Sequence, residues 1–353
     1  MKRLSLLLAL MLLLCASAAA AGRQTMTVVS PGLFRTSETP PSEEPATPAD
    51  LPDAPSAPEE PATPGDLPEA PSAPEEPDGP ARGGELLRLH QISIGMGGAY
   101  LLTVGDLVIL VDCGSNTTAP ISMGYHNYPL LEYLEGSGID HVDVHIVTHW
   151  HNDHCYNVNI LGALYGTEDT VVYGPTGELY KDLTPLAAGT YRRLCDGDRL
   201  TVGPLEILCV GPEYKDFLPG NRNIDSLNFI VTYGDVRIFF TGDYMQSSLL
   251  KRWPDEITDI DILSFPHHAM ETHEIPRNVY KAVNPRLVLV SSVERGAARQ
   301  FAIHKAGVRQ EAVYLCEQEG NLLVTTDGVD IWYAVNVQPG TFPLGELLPP
   351  RDP

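Results

Sequence analysis

Val-Thr-His-Trp-His-Asn-Asp-His-Cys, residues 147–155, decides how this chain is read. The stretch before it, Val142–Val147, is largely apolar and suits a buried strand, and the polar cluster starts where that strand ends. His149 and His151 stand two residues apart, so both point to one side while the backbone stays extended. Asp153 and His154 follow as the chain turns and are placed to serve a second ion nearby. A divalent metal needs several lone-pair donors converging at roughly 2.0–2.2 Å. One histidine at a strand end is more often a satisfied core or surface residue than a ligand. Three histidines and an aspartate between His149 and His154 point to a two-metal site.

Working outward, two further segments end a strand-like run on donor residues: Val236–Asp243 (VRIFFTGD) and Asp261–His268 (DILSFPHH). Alone, Asp243 in Thr-Gly-Asp reads as a turn residue. In order after His149–His154, Asp243 and the pair His267–His268 read as the remaining ligands.

His-x-His-x-Asp-His after a strand resembles the metallo-β-lactamase superfamily. The likeness covers 85–337 and implies an α/β fold, a four-layer αββα sandwich with the site at one edge and two divalent ions, zinc with manganese as the alternative. By that resemblance Asp112 has a structural role near the site, Asp243 bridges both ions, and His267 is the final metal ligand. His268 is its near competitor, with the catalytic role of donating to the substrate. Between Cys155 and Asp243 there is no histidine, and Asp-His is followed by Cys155-Tyr156-Asn157 in place of x-Gly-Gly. The lactamase, thioesterase and tRNA-processing branches therefore fit poorly. Asn221–Val231 (NRNIDSLNFIV), FFTGDY (239–244) and PHHA (266–269) instead resemble the ComEC-type branch, the nuclease domain of competence proteins and its secreted relatives. This chain departs from that pattern at Gly95-Met96-Gly97-Gly98 and at Ala269, where glycine is usual. Asp225 or Ser226 could approach the position of the missing histidine, and an N-cap or turn role for both is the alternative.

Around this region the chain divides by composition. Lys2 and Arg3, an apolar run Leu4–Cys15 and small residues Ala16–Ala21 read as a secretory signal over 1–22. No later run approaches the length of a membrane span, so a secreted protein with no transmembrane segment in the mature chain is expected. Residues 43–58 recur almost unchanged as 59–74. The repeat is rich in proline and has little to bury, so 23–84 reads as a disordered, extended linker. The tail 338–353 is again proline-rich and is expected to be loose.

Of 46 acidic and 23 basic residues, 12 and 5 lie before Gly83, leaving 34 against 18 for the catalytic region. Its acidity is therefore its own, and it disfavours long nucleic acid as a partner. Five cysteines remain after residue 22; Cys195 and Cys209, flanking an expected hairpin, are the first candidates for a disulfide, and small buried cysteines that never oxidise are the equal alternative.

The reaction expected is hydrolysis by a hydroxide held between two metals, with Asp153 and His268 as catalytic residues that orient it and protonate the leaving group. His273, His126 and His141 are weaker candidates for a role. A phosphodiester in a small-molecule or surface-attached phosphoester is the first choice of substrate. A lactone, carboxylic ester or amide is the enzymatic alternative, and a surface-tethered binding module is the non-catalytic one.

Overall fold

Apolar runs become two sheets whose inner faces meet. The computed structural model describes residues 84–114, 128–175, 190–213, 223–270, 276–292, 313–315 and 319–351. The expected signal segment, almost all of the linker, His126, His273 and Cys316 lie outside them.

The first sheet begins with β1 (Leu87–Gln91), β2 (Tyr100–Val104) and β3 (Leu107–Val111), joined antiparallel. Beyond β3 lie β4 (Val144–Ile146), β5 (Val171–Gly174) and β6 (Tyr191–Arg193), all parallel. The second sheet contains β7 (Arg199–Val202), β8 (Leu205–Gly211), β9 (Asn228–Tyr233) and β10 (Val236–Phe240), all antiparallel. It continues parallel through β11 (Ile262–Ser264), β12 (Leu287–Val290) and β13 (Val313–Leu315). The chain then returns to the first sheet as β14 (Leu322–Thr326), which pairs with β1, then β15 (Ile331–Ala334) and β16 (Glu346–Leu347).

Alternation places Leu87, Leu89, Leu102, Ile109 and Ile146 against Ile207, Phe229, Val231, Ile238 and Phe240 in one core between the sheets. Outside the first sheet pack α1 (Tyr128–Gly136) and α3 (Val158–Tyr165), through Leu130, Leu134, Val158 and Leu161. Outside the second pack α4 (Leu249–Arg252) and α5 (Arg277–Val283), through Leu249, Val279 and Val283. Helix, sheet, sheet, helix is the αββα order expected. None of the described helices is long and apolar enough to cross a membrane.

The tail differs from expectation. Leu348 is buried and its N–H donates to Ile331 O at 2.7 Å. The Arg286 guanidinium donates to Leu348 O and Pro349 O, and Arg351 donates to Ile260 O and Asn284 O. Prolines there do not loosen the chain, because its carbonyls still accept and β16 lies at a sheet edge. Of the two readings open for the cysteines the structure has the unpaired one: Cys113, Cys155, Cys195 and Cys209 form no disulfide, and Cys209 Sγ donates to Gly211 O at 3.1 Å.

Candidate metal centre

Carboxyl ends of parallel strands carry the site, the usual place for a ligand in sheets of this kind. Asp112 follows β3, Thr148–Cys155 follow β4, Thr241–Asp243 follow β10, Phe265–Ala269 follow β11 and Ser291 follows β12. Thr148 N and Oγ1 donate to Asp112 Oδ1 and Oδ2 at 2.7 and 2.8 Å. Leu227 N donates to Thr148 O at 2.9 Å, so the loop is tied to both sheets. Short helix α2 (Asn152–Cys155) then turns Asp153 and His154 back toward the sandwich.

Two glycines let this loop sit so close. A Cβ on Gly114 would fall 1.6 Å from Asp153 O, and one on Gly98 would fall 2.8 Å from Asp112 Oδ2. Gly98 N donates to Asp153 O at 2.8 Å, so the Gly-Met-Gly-Gly segment supports the loop from below.

Two groups of donors result. Asp153, His154, Asp243 and His268 form one; His149, His151 and Asp243 form the other; within each, the ligand atoms lie within 4.8 Å of one another. Asp243 stands between them, its Oδ1 2.9 Å from His154 Nε2 and its Oδ2 3.4 Å from His149 Nε2. His149 Nε2 and His151 Nδ1 are 3.1 Å apart, and so are His154 Nε2 and His268 Nε2.

The fit to a metal follows from the protons. His154 Nδ1 lies 2.7 Å from Asp112 Oδ2, and His268 Nδ1 lies 2.8 Å from Ser291 O. Both partners accept, so each Nδ1 carries a hydrogen, and each ring presents Nε2 to the other and to Asp243. Nitrogens converging on a buried carboxylate call for a cation between them, a proton or a metal ion.

Electrostatics agree with that reading. Burial alone would raise the Asp243 carboxyl, yet His154, His268 and His149 hold it well below its usual range. Burial would also raise Asp153, and the hydrogen bond from His268 with the charge of His154 brings it down instead. His149 is lowered by burial and by His154, and His151 is lowered to about 4 by burial and by His149. Both are thus neutral and able to coordinate at neutral pH. Burial opposes a proton on His154, but Asp243 and Asp112 raise it well above its ordinary value. The structure thus favours positive charge where a metal would bring it.

The structure places His268, and not His267, within the donor group. His268 is buried in the donor group, whereas His267 Nε2 is 3.8 Å from Asp243 Oδ2 and accepts from Asn223 Nδ2 at 3.3 Å. The cause is backbone conformation: His267, His268 and Ala269 have φ of 50°, 51° and 56°. Three successive left-handed residues turn the second histidine inward, where a continuing strand would have turned the first. Ala269 is one of the three.

Neither Asp225 nor Ser226 belongs to the donor groups. Ser226 Oγ instead accepts from Asp243 N at 3.0 Å, so its role is to hold the turn. His141 bonds Asp140 at the opposite end of β4 and takes no part. Sequence reasoning missed Gly98, Gly114, Asn223 and Ser291; the glycine-rich run and the asparagines after Gly220 were the available signals.

A family model described as "Beta-lactamase superfamily domain" matches residues 92–290. No curated protein matches the chain. Among solved structures, the metallo-β-lactamase fold protein YhfI from Bacillus subtilis is 17% identical over 65% of this chain and 96% of its own, with a TM-score of 0.43. A putative metal-dependent hydrolase from Parabacteroides distasonis is 18% identical over 67% and 95%, with a TM-score of 0.43. Igni18, a metallo hydrolase from Ignicoccus hospitalis, is 15% identical over 67% and 98%, with a TM-score of 0.42. The family model spans more than half of the 353 residues, so the chain belongs to the β-lactamase superfamily, with the architecture of its metallo-β-lactamase members.

Proposed function

We propose that this chain is an exported metal-dependent hydrolase that uses two divalent ions to cleave phosphodiesters. The observation that carries the reading is the division of Asp243, with Oδ2 toward His149 and Oδ1 toward His154 and His268. One carboxylate between two sets of nitrogen donors suits a pair of ions side by side. In this assignment His149, His151 and Asp243 hold one ion, and Asp153, His154, Asp243 and His268 hold the other. Zinc is the expected metal and manganese the alternative. Ions bound there would act as Lewis acids and bring the pKa of water toward neutrality.

The protein's own residues supply geometry and protons. Asp112 and Ser291 fix which imidazole nitrogen faces the centre. Asp153, 3.4 Å from His268 Nε2, offers its carboxylate to orient the attacking water. His267, whose Nε2 accepts from Asn223, lies beside the centre 3.8 Å from Asp243 Oδ2 and outside both donor groups.

The resemblance to the ComEC-type branch supports phosphodiester as the bond class. The excess of acidic residues supports a small or surface-attached phosphoester over long nucleic acid. The basic, apolar and small-residue order of residues 2–21 supports export.

The test is metal content of the purified protein, followed by turnover of bis-(p-nitrophenyl) phosphate with and without chelator. About two ions per chain, as in two-metal sites generally, and chelator-sensitive release of nitrophenol are expected. Turnover of nitrocefin, a lactone or a carboxylic ester in place of the phosphodiester would move the substrate class. Absence of bound metal and of any turnover after reconstitution would return the fold to a binding role.

A further inference from the structure

Asn228 is a polar residue at the head of an apolar strand, Asn-Phe-Ile-Val, and it is fully buried. Its Nδ2 donates to Thr241 O at 2.8 Å and to Tyr244 O at 2.7 Å, with a longer contact of 3.5 Å to Ser226 O. Those first two carbonyls bracket Gly242 and Asp243, so one amide group closes the turn from both sides. Gly242 has φ of 54° inside that turn, and Asp243 N is held separately by Ser226 Oγ. Asn228 Oδ1 is buried and has no hydrogen-bond partner among the described residues. An orphaned buried acceptor destabilises the fold, a cost that an apolar residue would avoid. What the asparagine offers in return is the pair of bonds to residues 241 and 244.

We infer that Asn228 is a positioning residue for the carboxylate shared between the two donor groups: by tying Thr241 O to Tyr244 O it fixes the direction in which Asp243 presents Oδ1 and Oδ2. It touches neither substrate nor metal and acts only through the turn. The inference rests on the metallohydrolase reading of the site.

The test titrates the wild-type protein, Asn228→Leu and Asn228→Ser with Zn2+ and Co2+ against a chromophoric chelator, and records the Co2+ d–d absorption. Leucine keeps the side-chain volume without either donor; serine keeps one. Asn228→Leu should bind the ions at least tenfold more weakly and shift the Co2+ bands, with Asn228→Ser in between. A leucine variant with wild-type affinity and an unchanged Co2+ spectrum overturns the inference, even if it melts at a lower temperature. Should the leucine variant fail to fold, the serine variant decides by the same criterion. A wild-type protein that binds neither ion refutes the hydrolase reading itself, and that result is seen before any variant is made.

Discussion

His154 donates its Nδ1 proton to Asp112 over 2.7 Å, and this single bond decides which nitrogen faces the centre. Asp112 holds the position with a φ of 55° while also accepting both Thr148 bonds. Asp112→Asn can still accept but also presents an amide to the same ring, allowing the wrong tautomer. Metal affinity should fall by about 10–100-fold, read by competition with a chelator, with the fold retained by circular dichroism. Unchanged affinity would remove the orienting role.

Asp243 is the one carboxylate common to both groups of donors. Asp243→Ala should therefore lose metal occupancy and turnover together, by roughly 10³-fold or more in rate, since several kcal/mol of charge stabilisation go with it. Elemental analysis beside a phosphodiester assay checks this. A variant that keeps two ions and normal turnover would show that the carboxylate is no bridge.

Acid stability should be set in part by a histidine away from the site. His145 is lowered from 6.5 to about 4 by burial, partly offset by Asp112, and its Nε2 is buried without a hydrogen-bond partner. A depressed histidine is neutral in the fold while the unfolded chain takes up a proton first. Its contribution is thus fully present above pH 6.5 and is lost as pH falls toward 4, about 3 kcal/mol across the window. His145→Leu should lose that share of the pH dependence, measured by urea unfolding at pH 7 and pH 4.5. Parallel curves for the two proteins would refute it.

Removing residues 346–353 should destabilise the whole sandwich rather than trim a loose end. The deletion takes away β16, the buried Leu348 and the acceptors of Arg286, as well as the bonds of Arg351. A loss of about 3 kcal/mol is expected from one buried leucine and a few hydrogen bonds. Differential scanning calorimetry of the truncated chain checks it, and an unchanged melting temperature would show that the tail contributes nothing.

The legible parts of the sequence were those with a strong local signal. Apolar runs such as Leu107–Val111 and Leu287–Val290 are buried throughout or nearly so, and they announced their strands. The segment Tyr191–Arg193 did not, because an edge strand with two exposed arginines has no apolar pattern. The hairpin of β14 and β15 went unread although Asp327-Gly328 marks its turn. At the site, His149, His151, Asp153 and His154 lie within one short segment, and spacing alone brought them forward. The order of His267 and His268 could not be read, since it depends on a left-handed turn that non-glycine residues rarely adopt. Asn228 was hidden for another reason: its partners are backbone carbonyls 13 and 16 residues away.

The donors come from opposite halves of the sandwich. His149 to His154 hang from the first sheet; Asp243 and His268 hang from the second. An ion held between them is a removable cross-link, in a chain whose four described cysteines form none. At a free concentration a thousand times its dissociation constant, such an ion would contribute about 4 kcal/mol to folding. Scarcity of metal would then act on the lifetime of the protein as well as on its chemistry, and a chelator would leave a chain easier for proteases to open.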